Sequence, residues 1–101
     1  MSEPENKDHK AQVHIDISEE QERGAYSNLV ILNYNQEEFV LDFAFLQPQA
    51  PKGKILARTI LSPRNAKRFS ALLETHIKSY EEKFGPISEG PENPQVKFSV
   101  N

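Results

Sequence analysis

The sequence predicts an α+β fold: a four-stranded antiparallel meander packed by one long C-terminal helix, with disordered tails at both ends. Three observations predict it. Short runs with apolar residues at every second position recur through the first 61 residues, as half-buried strands require. Asn33-Tyr34-Asn35-Gln36-Glu37 joins two of those runs through a short, turn-rich segment, the mark of an antiparallel hairpin. From Ser62 onward the apolar period changes from two to that of a helix and holds until a Gly-Pro stop.

Taken in order, residues 1 to 11 read as a disordered acidic tail. Val13, Ile15 and Ile17 alternate with His14, Asp16 and Ser18, which predicts the first strand. The polar run from Glu19 to Gly24 reads as a loop. Tyr26 to Asn33 is the second predicted strand, with Leu29, Val30, Ile31 and Leu32 apolar on both faces. The third, Phe39 to Leu46, places Phe39, Leu41, Phe43 and Phe45 on one face and Val40, Asp42, Ala44 and Leu46 on the other. Gln47 to Gly53 has the composition of a loop, and a fourth strand follows from Ile55 to Leu61.

The helix prediction is the sharpest. Ser62 suits an N-cap, and Pro63 suits the first helical turn, where its missing amide costs nothing. Ala66, Phe69, Leu73, Ile77, Tyr80 and Phe84 then recur at spacings of three or four until Gly85-Pro86. Such a helix would be about 33 Å long. One domain is therefore expected over residues 12–85. Residues 86–101 form a flexible tail in which Val96, Phe98 and Val100 outline a short strand at 96–100.

Composition excludes several classes of protein. The chain has 101 residues and no cysteine, which excludes a disulfide framework, a cysteine metal site and a thiol enzyme, and a second domain is not expected. No run approaches the roughly 20 apolar residues that span a bilayer, and the acidic start Met1-Ser2-Glu3 carries no signal-peptide pattern. A cytoplasmic protein with no membrane partner is expected. His9, His14 and His76 lack metal-ligand spacing, the four glycines form no phosphate loop, and no nucleophile has a base and acid arranged around it. No catalytic residue, metal or cofactor is expected. Asp42, set among apolar residues, is expected to pair with Arg58 across the third and fourth strands.

What remains is surface. Net charge is −3, but the stretch between Phe43 and Leu73 holds Lys52, Lys54, Arg58, Arg64, Lys67 and Arg68 and not one acid. That stretch is +6, and the remainder is −9. Arg64, Lys67 and Arg68 open the predicted helix, where the macrodipole disfavours cations, which suggests a compensating anion or carboxylate. The second and third strands are also apolar on both faces, whereas one amphipathic helix can cover only one of them. A homodimer formed sheet to sheet is the simplest cover, a partner protein the next, and a modest exposed patch the plainest alternative. The candidate partner-binding residues are Val40, Leu46, Arg58, Arg64, Lys67 and Arg68. The competing expectation is a nucleic-acid-binding protein using the basic residues between 52 and 68, with binding that weakens steeply as salt rises.

Gly24-Ala25-Tyr26-Ser27-Asn28, Glu38-Phe39-Val40-Leu41-Asp42-Phe43, Leu61-Ser62-Pro63 with Ala66-Lys67-Arg68, and Tyr80-Glu81 before Phe84-Gly85 together resemble the pattern of a family of small bacterial and archaeal proteins, domain of unknown function 3467. The resemblance runs from about Val13 to Ile87. It supplies no catalytic or binding residues, because the family has no established activity. It does imply an association with transcription, since genes of such proteins often lie beside those for the large RNA polymerase subunits in Bacteroidota-like bacteria. RNA polymerase or another cytoplasmic complex is therefore an expected partner.

Overall fold

The computed structural model describes residues 11–90. The tail expected before residue 11 and the strand expected at 96–100 lie outside those residues. In chain order the elements are helix α1 (Glu19–Arg23), strands β1 (Leu29–Tyr34), β2 (Phe39–Leu46) and β3 (Gly53–Leu61), and helix α2 (Pro63–Phe84). The protein is α+β, with an antiparallel sheet in the order β1-β2-β3 followed by the C-terminal helix.

Among the described residues the sheet has three strands, and the expected first strand is not one of them. Val13, Ile15 and Ile17 are 74%, 83% and 61% exposed and pair with no neighbour. Alternation reports which residues would share a face, but a strand also needs a ladder partner. Here the chain is diverted before it can find one. Ser18 accepts a hydrogen bond from the Gln21 backbone N–H at 3.1 Å, and the Gln21 side chain accepts one from the Ser18 N–H at 3.2 Å. This reciprocal capping box starts α1, so the polar run expected as a loop is a short helix. Gly24 ends it with φ of 77°, a conformation that favours glycine.

The hairpin between β1 and β2 forms as expected. Asn35 builds its turn: the side-chain oxygen accepts from the backbone N–H groups of Glu37 at 2.7 Å and Glu38 at 3.0 Å. β2 is the central strand. Leu41 sits between Leu32 and Thr59, and Asp42 between Ile31 and Arg58. The pairing with β3 passes from Phe43–Ala57 to Ala44–Ile55, which leaves Leu56 as the extra residue of a β-bulge.

The core is confined to β2. Leu41 and Ala44 are the buried hydrophobic residues, and Asp42 is buried with them. The other apolar residues of β2 are half-buried, and much of the apolar surface around them remains open to water. Val30, Leu32 and Tyr34 on one face of the sheet are each more than half exposed, as is Ile60 on the other.

Helix α2 keeps its expected bounds. The Ser62 side chain accepts from the Asn65 N–H at 3.2 Å, Pro63 opens the first turn, and Gly85 closes the end with φ of 96°. Its position departs from expectation, for the helix does not pack across the sheet. It meets the sheet chiefly through a few residues of β3. Phe69, Leu73, Ile77 and Tyr80 are 40–50% exposed, and Phe84 is 71% exposed. The cause is local. Ser62 alone separates Leu61 from Pro63, and one residue cannot turn a chain back over the strand it has just left. Sequence periodicity therefore gives the helix the right face, while the junction gives that face nothing to cover.

Candidate functional site

Four small constellations carry the motif residues, and each forms for a local reason. The first is the pair at the sheet centre. Arg58 Nε donates to Asp42 Oδ1 at 2.7 Å and Arg58 Nη2 to Asp42 Oδ2 at 2.9 Å. The two residues face each other in the β2–β3 register, so the strands preset the fork geometry that a carboxylate accepts. Asp42 is only 1% exposed, whereas the Arg58 side chain is half exposed. The hydrogen bond from Arg58 holds the Asp42 carboxyl below its ordinary value, against the opposing effect of burial. The same pair raises Arg58. A carboxylate so held is ionised at neutral pH and occupied at both oxygens. It is a structural ion pair, and general acid–base chemistry would need a raised value and an open approach.

The second constellation lies at the start of β1. Asn28 Oδ1 accepts from the Leu46 N–H at 2.8 Å, and Asn28 Nδ2 donates to the Leu46 carbonyl at 3.0 Å. The side chain thus imitates one more rung of the β1–β2 ladder beyond the last strand pair. Beside it, the Ser27 hydroxyl is shared between the carbonyls of Ala44 at 2.9 Å and Leu29 at 3.0 Å. Sequence reading placed Ser27 and Asn28 in a motif without giving them these tasks. The pattern of a polar pair just before an apolar strand was the available signal.

The third is a shallow depression lined by Tyr26, Phe45, Leu56, Lys52 and Lys54. Tyr26 meets Phe45 edge to face at 6.4 Å between ring centres. The fourth is the start of α2. Arg64, Lys67 and Arg68 are exposed there with no acid in the first turn. Among the described residues, none of the three enters an ion pair.

The six cations that are consecutive in sequence do not gather in space. β3 has nine residues and spans roughly 27 Å between its ends. Lys52 and Lys54 stand at one end, Arg64, Lys67 and Arg68 beyond the other, and Arg58 lies between them bound to Asp42. Val40 and Leu46 are half-buried and share the Asp42 face of β2. Val40 stands opposite Ile60, and Leu46 opposite Gly53. The proposed partner-binding residues therefore fall into two groups, Val40, Leu46 and Arg58 on the sheet and Arg64, Lys67 and Arg68 on the helix.

Among the described residues the histidines, His14 and His76, stand apart. His14 lies 3.1 Å from Asp16 on the exposed N-terminal segment, and His76 Nδ1 lies 2.9 Å from the Leu72 carbonyl one turn back in α2. Among the described residues no group of three His, Cys, Asp or Glu side chains could hold a metal ion, and no helix is long and apolar enough to cross a membrane.

These features define a small α+β protein whose polar motif residues close its own backbone and whose apolar residues remain largely on the outside. Residues 1–89 match the family described as "Protein of unknown function (DUF3467)", and the chain belongs to that family. Comparison with curated proteins and with solved structures gives no match.

Proposed function

We propose that this protein is a non-catalytic protein-interaction module, homodimeric and accessory to a larger cytoplasmic assembly, with the transcription machinery as the assembly to which the family resemblance points. One observation carries the reading: with a long amphipathic helix and a sheet apolar on both faces, the described residues fully bury only Leu41 and Ala44 as a hydrophobic core. Apolar surface left in water does nothing to offset the conformational entropy lost on folding, and oligomerisation is one way a small fold buries it. The missing burial comes from a second chain. Val40 and Leu46 supply apolar contact on the sheet, while Arg58, Arg64, Lys67 and Arg68 supply charge at its margins.

Light scattering coupled to size-exclusion chromatography tests this reading, together with thermal melts over a hundredfold range of protein concentration. A dimer whose Tm rises with concentration is expected. A cooperatively folded monomer at tens of micromolar would overturn it. Nucleic-acid binding is supported as a second reading by the three unpaired cations at the start of α2. It predicts binding that is lost on Lys67→Glu with Arg68→Glu and that falls steeply between two salt concentrations. Separation of Lys52 and Lys54 from those cations is why it stands second.

A further inference from the structure

We infer that the second copy docks through α2, and that the two helices pair antiparallel about a twofold axis passing near Glu74; this rests on the homodimeric reading above. The seam comes from the sequence of the helix. At 100° per residue, positions seven apart drift by only about 20°, so Ala66, Leu73 and Tyr80 form one row and Ser70, Ile77 and Phe84 the row beside it, the two rows of a seven-residue repeat. Lys67, Glu74 and Glu81, also seven apart, run along one flank of that seam. Phe69 and Leu72 widen it on the other flank, and both are exposed.

An antiparallel partner fits this pattern in size and in charge. With the axis near Glu74, Ala66 lies opposite the second copy's Phe84, Ser70 opposite its Tyr80, and Leu73 opposite its Ile77. Small residues thus face aromatic ones, so the helices can approach evenly along their length. The same alignment sets Lys67 beside the second copy's Glu81, and the symmetry repeats that pair. Glu74 meets its own counterpart at the axis, with Lys78 one turn along on the same side to offset it. A parallel pair forfeits this. It sets Glu74 beside the second copy's Phe69, brings both copies of Arg64, Lys67 and Arg68 together, and aligns the two helix dipoles.

The first turns of α2 carry three cations and no acid, a local penalty that nothing else among the described residues relieves. The antiparallel partner relieves it with the carboxylate of Glu81 near its own helix C-terminus. Glu81 keeps that position because its Oε2 accepts the Ile87 N–H at 2.9 Å. Area is adequate as well. Covering the exposed parts of Phe69, Leu73, Ile77, Tyr80 and Phe84 removes roughly 500 Å² per helix, hence roughly 1,000 Å² per pair. Leu72 and the stems of the flanking residues bring the total to the lower bound of about 1,200 Å² for stable interfaces.

Disulfide trapping tests the pairing without background, since the chain contains no cysteine. Ala66→Cys and Phe84→Cys are made separately, oxidised alone and oxidised after mixing. Antiparallel pairing predicts no covalent dimer from either variant alone and efficient linkage in the mixture. Linkage of each variant to itself would show a parallel pair and overturn the proposal. No linkage from a protein that light scattering finds dimeric would overturn it too, while leaving the homodimer in place; a monomeric wild type overturns both.

Charge exchange provides the second arm should a cysteine variant fail to fold. Lys67→Glu alone and Glu81→Lys alone should each weaken dimerisation roughly tenfold, because two symmetric pairs turn repulsive. The double variant should restore it. A double variant no tighter than either single one would refute the Lys67–Glu81 contact.

Discussion

Strand β2 and the apolar stripe of helix α2 are both bounded by clear local signals, yet they are satisfied in different ways. β2 lies between two strands, and its backbone, its charge at Asp42 and its apolar residues Leu41 and Ala44 are all answered within the chain. α2 answers only its own backbone. Ser62, Pro63 and Gly85 cap it, while the side chains from Phe69 to Phe84 face water. Hydrogen bonding and apolar burial are thus separable achievements. A chain can complete the first alone and still depend on another molecule for the second, since isolated helices draw most of their stability from packing.

The largest effect should come from breaking β2 at its charge. Arg58→Ala leaves the buried Asp42 carboxylate without its fork, and we expect Tm to fall by about 10 °C or more in a circular dichroism melt. The pH response should change sign as well. In the wild type the lowered carboxyl stabilises the fold in full above its ordinary value near 3.8, and that contribution is lost as pH falls through the lowered value. In Arg58→Ala burial acts alone and raises the carboxyl, so the variant should gain stability as the medium is acidified from neutral toward pH 4. A variant as stable as the wild type, with unchanged pH response, would mean that β2 does not rely on the pair.

Next comes the opposite region. Leu73→Asp puts a charge into the bare stripe of α2 twice per dimer, and should weaken association by roughly 100-fold or more in analytical ultracentrifugation. Unaltered association would place the interface elsewhere. Smaller effects test the closures. Asn28→Ala removes both side-chain hydrogen bonds to Leu46 and should cost about 1–2 kcal/mol by urea unfolding. Ser62→Ala removes the N-cap and should cost about 1 kcal/mol. The smallest effect is expected at Ile15, which is 83% exposed. Ile15→Ser should stay within about 0.5 kcal/mol. A greater loss would show that the N-terminal segment finds a partner in the assembled protein.

Much of the architecture was legible because it rests on local chemistry. The hairpin follows from Asn35, the helix from Ser62-Pro63 and Gly85, and the ion pair from the facing positions of Asp42 and Arg58. What escaped depends on relations that a linear pattern does not encode. Val13, Ile15 and Ile17 alternate properly, but alternation does not name a ladder partner. Glu19–Arg23 looked like a solvated loop because its capping box, Ser18 with Gln21, is polar throughout. The six cations looked like one patch because sequence distance hides the length of β3. Position of the helix escaped because a single junction residue, Ser62, decides it, and the residue's type signals a cap without signalling direction. The unpaired charge of Arg64, Lys67 and Arg68 at the start of α2 was legible as well, because it is a property of sequence position and helix dipole.

That junction has a mechanical consequence. With Ser62 alone between β3 and α2, the helix has no slack, and its rotation about its own axis is locked in phase with the pleat of the strand. Inserting one residue within the first turn of α2 would rotate every later side chain by about 100°. It would carry the stripe from Leu73 to Phe84 to another side of the molecule while leaving composition, charge and helix content almost unchanged. The spacing between Leu61 and Pro63 is therefore a setting of direction, and a length change there would alter where the protein can be met.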